Sequence, residues 1–319
     1  MINVAYVFDE NFTVPALVSI LSAIDTNKNE NLCFHLITYQ ENSEYLKAIN
    51  DEIIAKNHYV KNYLVDGNHF LSWVPGSVMQ YRNSATENAP FSNAAYLKLL
   101  LPSLIGEDKV IFLDSDTLVG KCLADLYNWD LRDYVVGGVF SDGMDIFLNG
   151  EDIFGYKSSD YLNTGVLLMD LKKLRQIDFL NKCKKAYNKF ASRLKFADQD
   201  IINLVLTSQK TVLPERFNVF LKFSDDQHTI EKKINKLENS ILHFVGDVKP
   251  WQSWNLPRFC EIWEKFARLA GKENIRLTPI TNLSQIIKHG QLLHSYGDYR
   301  NASLVKSKAI SVLLKEMHK

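Results

Sequence analysis

From its second residue to about residue 206 this sequence alternates short apolar runs with longer amphipathic ones, and few folds tolerate that pattern. Residues 2–8 read as a buried strand that ends in Asp9-Glu10-Asn11. Residues 14–24 follow with Val14, Leu17, Val18 and Leu21 at helical spacing. Residues 33–38 and 59–65 are further strands, with a helix over 44–56 between them. Residues 110–113, 135–140, 165–170 and 241–246 complete the strand set. A helix over 94–101 is expected to stop at Pro102, and another over 178–194 to bury Phe179, Cys183, Ala186, Phe190 and Leu194. Its lysines, such as Lys182 and Lys189, read as a solvated face. Such alternation builds an α/β sheet with helices on both faces, and such sheets bind ligands at the carboxyl ends of their strands.

Two of those ends are acidic. One carries Asp9-Glu10 and the other Asp114-Ser115-Asp116. Two carboxylates on a short loop after a strand suit a hard divalent cation that also accepts phosphate oxygens. A calcium EF-hand loop starting at Asp114 fails, because Leu118 holds its fifth position, Val119 its sixth and Asp125 its twelfth. A purely structural turn stays open for the triplet by itself.

His243 stands in a later strand, within His243-Phe244-Val245-Gly246-Asp247-Val248-Lys249-Pro250-Trp251. A histidine among apolar neighbours is most often a packed core residue. Here Gly246 permits close backbone approach to a ligand, and Lys249 supplies a point charge for phosphate. Imidazole added to two carboxylates favours Mn²⁺ over Mg²⁺. Asp198-Gln199-Asp200 heads a helix over 201–206. One acid caps a helix; two acids around an amide leave polar groups free for sugar hydroxyls.

Composition sets the boundaries. The chain has 319 residues, 46% of them hydrophobic, which is enough for a substantial core. Lys+Arg and Asp+Glu stand at 37 each, so no net charge draws it to nucleic acid. Cys33, Cys122, Cys183 and Cys260 lie far apart with no metal-ligand spacing, as free thiols in a reducing compartment do. The start lacks a basic segment and an apolar stretch of signal-peptide length, and no run approaches the roughly 18 apolar residues of a membrane span. The expected location is the cytoplasm or the cytosolic face of a membrane. Residues 66–90 form a long polar stretch expected to be a functional loop. From about residue 256 the pattern is wholly helical, and residues 271–319 hold eight Lys/Arg against three acids. That tail reads equally as a soluble helical cap or as a basic helix docking on anionic inner-membrane lipid.

Five segments in order, over about residues 2–254, resemble the bacterial glycosyltransferase family 8. They are Phe8-Asp9-Glu10-Asn11; Lys109-Val110-Ile111-Phe112-Leu113-Asp114-Ser115-Asp116; Leu162-Asn163-Thr164-Gly165-Val166-Leu167-Leu168; Asp198-Gln199-Asp200-Ile201-Ile202-Asn203; and the run from His243 to Trp251. The resemblance implies a retaining enzyme of the GT-A fold, a Rossmann-like mixed sheet over residues 1–255, with a helical basic region over 256–319. It implies a UDP-hexose donor, glucose or galactose, and a lipopolysaccharide, lipooligosaccharide or other glycan acceptor.

Position by position, it implies that Asp114, Asp116 and His243 hold Mn²⁺ or Mg²⁺ against the diphosphate. Asp9 and Asn11 would meet the uridine, with Ser115 also on the donor, and Lys249 and Gly246 the diphosphate. Asn163 and Asp198 would hold the donor sugar, with Asp142 as a looser match. Gln199 would face the anomeric carbon, and Asp200 is the rival nucleophile. The family usually carries Arg where this chain has Lys98, which keeps the charge and loses the bidentate fork. A binding protein on the same fold that has lost activity, and a hydrolase of nucleotide diphosphates, are the competing readings. Residues 220–236 join 66–90 as irregular segments expected to meet the acceptor.

Overall fold

The middle of the molecule is β4 (Lys109–Leu113), whose last four residues are fully buried because strands lie on both sides and helices cover both faces. The structure is a computed structural model and describes residues 1–38, 43–66, 93–141, 161–194, 196–222, 225–246, 248–255, 257–270 and 278–317. Asp142 and residues 67–92 lie outside the described residues. The other strands are β1 (Ile2–Val7), β2 (Leu32–Thr38), β3 (Tyr59–Leu64), β5 (Thr117–Val119), β6 (Val136–Phe140), β7 (Leu162–Asp170), β8 (Lys210–Val212), β9 (Val219–Leu221) and β10 (Ile241–Phe244). Seven form one sheet in the order β3-β2-β1-β4-β7-β6-β8; β5, β10 and β9 form a small second sheet. The large sheet is mixed: β1, β2, β3 and β4 run parallel, and β7 is antiparallel to both β4 and β6.

Period two in the strands sorts the core. Val4, Tyr6, Ile111, Leu113, Val166 and Leu168 face one layer; Ala5, Val110, Phe112, Leu167 and Met169 face the other. The first layer is closed by α1 (Thr13–Thr26) and α2 (Ser43–Ala55). The second is closed by the 3₁₀ stretch Asn93–Leu100, α3 (Phe179–Phe190) and α4 (Ala197–Val205). Continuous apolar strands therefore follow from burial on both sides. A third core packs Leu118, Leu221, Leu242 and Phe244 of the small sheet against α5 (Gln227–Ile234), α6 (Pro257–Ala267) and α7 (Leu283–Ser295). The last helix, α8 (Tyr299–Met317), packs along α7.

Four expectations change. The 94–101 segment is 3₁₀ and the chain continues into Leu101–Leu104 with Pro102 in the first turn, where its missing N–H costs nothing. The amphipathic helix ends at Phe190 and turns 3₁₀ over Ala191–Arg193; its buried face is Phe179, Cys183 and Tyr187, with Ala186 and Phe190 only half-buried. The strand expected from residue 165 starts at Leu162. Residues 220–236 are for the most part regular, since β9 and α5 occupy them. Cys33, Cys122, Cys183 and Cys260 are free and buried, as their spacing predicts.

Candidate active site

The chain leaves β4 at Leu113 and enters β5 at Thr117, so Asp114-Ser115-Asp116 is the hinge between the two sheets. Antiparallel pairing of β5 with β10 sets Thr117 opposite His243, and Phe244 N donates to Asp116 O at 3.0 Å. On the other side, Asp114 N donates to Gly165 O of β7 at 2.7 Å. Residues more than a hundred positions apart thus meet because two ladders share one short loop.

One ligand atom from each of Asp114, Asp116 and His243 lies within 4.8 Å of the others. His243 Nε2 is 3.2 Å from Asp116 Oδ1, and its Nδ1 is 3.0 Å from Asn218 Oδ1. Gly165 is required by this convergence, since a Cβ there would sit 2.1 Å from His243 Cε1 and 2.9 Å from Asp114 Oδ2. Two carboxylates and an imidazole nitrogen fit a divalent cation. The cradle closes on that point from three strands.

Two lysines neutralise the acids. Lys249 Nζ donates to Asp116 in a very short contact and to Phe244 O at 2.6 Å. Lys98, 3% exposed, donates to Asp198 Oδ2 at 2.8 Å and to Thr164 O at 3.0 Å, with Asp114 Oδ1 at 3.3 Å and the Phe112 ring beneath it. Burial alone would lower the Lys98 pKa; Asp114 and Asp198 outweigh it and hold it above the ordinary lysine value. Burial also works against the charge on Asp116, but Lys249 and His243 hold that carboxyl well below the usual range. Asp114 is held above it by desolvation and by Asp116, against the pull of Lys98; its side chain keeps 35% exposure, which softens the effect.

Asp198-Gln199-Asp200 lies inside α4, whose N-cap is Phe196 without a side-chain bond. The three residues divide the work. Asp198 takes Lys98. Gln199 Oε1 accepts from Thr164 N at 3.1 Å and its Nε2 points at Tyr161 Oη, 3.4 Å away. Asp200 Oδ2 accepts from Phe196 N at 2.8 Å, while Tyr161 Oη donates to Oδ1 in a very short contact. Burial first, and Asp200 second, push the Tyr161 pKa well above the usual tyrosine value, so it stays a donor.

Asn163 Oδ1 accepts from Gly165 N at 2.9 Å and from Asn218 Nδ2 at 2.8 Å. Asp9 is buried, and its Oδ1 accepts from Asn11 N and Phe12 N at 3.0 and 3.2 Å, capping the turn after β1. Asn11 is exposed on that turn. Gly246 has φ +89°, a conformation that favours glycine. Ser115 is 5% exposed, and its Oγ has no hydrogen-bond partner among the described residues. Sequence reasoning passed over Asn218 and Tyr161 and gave Thr164 no role of its own. Asn218 follows Pro214-Glu215-Arg216-Phe217 and reads locally as a turn residue, so no nearby pattern marks it.

A mixed seven-stranded sheet with helices on both faces and an acidic hinge at a strand end defines the GT-A class of sugar transferases. The sequence profile of the family described as Glycosyl transferase family 8 matches residues 3–255. The chain belongs to that family. The glycosyltransferase GlyF of Streptococcus pneumoniae serotype 4 is 22% identical over 259 residues, 80% of this chain and 58% of that protein. A lipopolysaccharide 1,2-glucosyltransferase of Escherichia coli is 24% identical over 265 residues, 79% of this chain and 74% of that protein. The galactosyltransferase LgtC, solved with donor and acceptor sugar analogues, superposes with a TM-score of 0.66 at 22% identity, over 88% of this chain and 98% of that one.

Proposed function

We propose that the chain transfers glucose or galactose from a UDP-sugar to a lipopolysaccharide, lipooligosaccharide or other surface-glycan acceptor, with retention at the anomeric carbon. The observation that carries this is the convergence of Asp114, Asp116 and His243 beside Lys98 and Lys249 at the strand ends. The relatives named for glucose and galactose transfer support the two donors. A divalent cation held by Asp114, Asp116 and His243 would supply Lewis-acid stabilisation of the departing diphosphate. Lys249 adds a point charge there, and Gly246 lets the backbone approach. The hydroxyl of Ser115, with Asp9 and Asn11 on the neighbouring turn, serves the nucleoside. Asn163 and Asp198 serve the donor sugar, the latter oriented by Lys98. The boundary between catalytic region (1–255) and helical region (256–319) is supported by the end of the family match.

Gln199 is read as the residue at the anomeric face, and same-face attack by the acceptor hydroxyl accounts for retention. Asp200 is the rival nucleophile; each of its oxygens accepts one hydrogen bond, from Phe196 N and Tyr161 Oη, which weakens the carboxylate for attack. An unrescuable loss of all activity in Gln199→Ala would argue against a merely supporting role for that amide.

The tail has a second part in this reading. Among the described residues no helix is long and apolar enough to cross a membrane. On α8, Tyr299, Leu304, Ile310 and Leu314 are exposed beside Arg300, Lys306 and Lys308. That combination suits an anionic lipid surface on the cytosolic side, where a lipid-linked acceptor is met. Flotation with anionic liposomes checks it: the full chain rises with them, and a chain ending at Lys272 does not. Equal flotation by both removes the tail from the account.

The deciding assay is UDP release from a panel of UDP-sugars, with Mn²⁺ or EDTA, in wild type and Asp116→Ala. Release from one UDP-hexose that needs the metal, Asp116 and an acceptor supports transfer. No metal-dependent release from any UDP-sugar favours a nucleotide-sugar-binding protein without activity.

A further inference from the structure

One side chain touches both halves of the site. Asn218 is fully buried at the entry to β9, with no competing solvent. Its surroundings fix which end of its amide is which. Gly165 N–H can only donate, so the Asn163 atom that takes it at 2.9 Å is the oxygen. The Asn218 atom 2.8 Å from that oxygen must then be the nitrogen, which leaves the Asn218 oxygen facing His243 Nδ1 at 3.0 Å. An amide oxygen only accepts, so Nδ1 carries a hydrogen, and in the neutral ring the Nε2 lone pair points at Asp116 Oδ1, 3.2 Å away. Two lone pairs aimed at each other are relieved by a cation between them. At the other end, both acceptor positions of Asn163 Oδ1 are occupied, and its Nδ2 has no partner among the described residues. Asn163 therefore meets a ligand as a donor.

We propose that Asn218 is a positioning residue that sets the ring tautomer of His243 with its oxygen and the amide orientation of Asn163 with its nitrogen, so that one side chain builds both the metal site and the donor-sugar site. This rests on the reading of those two sites given under Proposed function. Outer partners of a metal-binding imidazole act in this way, and their loss costs about 10–100-fold in metal affinity.

Asn218→Asp separates the two jobs, because a carboxylate still accepts from Nδ1 but cannot donate to Asn163. Asn218→Leu removes both, and Asn218→Ala is the smaller substitute should the leucine variant not fold. Nitrogen-15 spectra of the histidine rings are recorded on metal-free protein at alkaline pH, Mn²⁺ affinity is titrated without nucleotide, and affinities for UDP and UDP-hexose are compared.

In wild type and Asn218→Asp the His243 proton is on Nδ1; in Asn218→Leu or Asn218→Ala it moves to Nε2. Mn²⁺ affinity is kept in Asn218→Asp and falls about 10–100-fold in the leucine or alanine variant. The extra affinity for UDP-hexose over UDP is lost in all of them. A wild-type ring protonated on Nε2, or a folded Asn218→Leu with wild-type Mn²⁺ affinity, overturns the proposal. Failure of the metal reading looks different: His243→Ala then binds Mn²⁺ as wild type does, while the tautomer spectra still judge Asn218.

Discussion

Gly165 lies so close to His243 that a methyl group added at its Cα would sit 2.1 Å from the imidazole Cε1. The glycine belongs to β7 and the histidine to β10, in different sheets, and the missing side chain is what lets the ring reach the acidic hinge. Gly165→Ala must therefore push His243 or Asp114 aside. We expect Mn²⁺ affinity at least about tenfold weaker, with a stability loss of about 1–3 kcal/mol from overpacking. Titration of the metal and a denaturant melt measure the two separately; unchanged Mn²⁺ binding would contradict the geometry.

Lys98 holds two acids at once. Lys98→Met leaves Asp198 buried without its cation, and such losses cost about 3–5 kcal/mol. The expected result is a large fall in the denaturation midpoint. Asp198→Asn added to Lys98→Met should recover part of it, because the unpaired charge is then gone. Additive losses in the double variant would show that the pair is not coupled.

Tyr161 anchors Asp200, so Tyr161→Phe removes one donor from a buried carboxylate. A cost of roughly 1–3 kcal/mol is expected. Urea unfolding checks this, and a variant as stable as wild type would strengthen Asp200 as the rival nucleophile.

His35 gives a pH dependence away from the site. It is fully buried on β2, bonded to Tyr63 Oη at 2.9 Å and to Asn3 Oδ1 at 3.2 Å. Desolvation lowers its pKa to about 4, with Glu107 opposing. The unfolded chain, with the ordinary value of 6.5, binds the proton first as pH falls. Stability is thus full above about pH 6.5 and is lost between there and about pH 4, by up to about 3 kcal/mol. The stability–pH slope in that window should shrink in His35→Gln. An identical slope in the variant would assign the loss to other groups.

The four thiols should be silent in the native protein. Burial pushes Cys122 up to about 12 and Cys260 up to about 11 and raises Cys33 and Cys183, so little thiolate is available. A disulfide reagent should titrate all four only after denaturation. Fast reaction of any one in the folded state would expose an opening near it.

Much of this protein is determined by the sequence alone. Period two and period 3.6 place β1, α1, β2, α2 and β4 within a residue or two, because strands and helices buried on known faces need those spacings. The same sequence marks Asp114, Asp116, His243, Asp198 and Lys249 one by one, as acidic strand ends, an isolated histidine, an acidic helix start and a lysine near the histidine, and the resemblance to glycosyltransferase family 8 is what joins them. Local signals stop there. Asn218 looks like a turn residue and Gly165 like any strand glycine, and Lys98 stands out only through the resemblance, yet each is decided by partners tens of residues away. Only tertiary structure brings β5 across to β10 and makes the loop after β4 a hinge between two sheets. The reason is physical: spacing in the chain records which face a residue turns to the core, while hydrogen bonds and close packing record which distant residue it meets there.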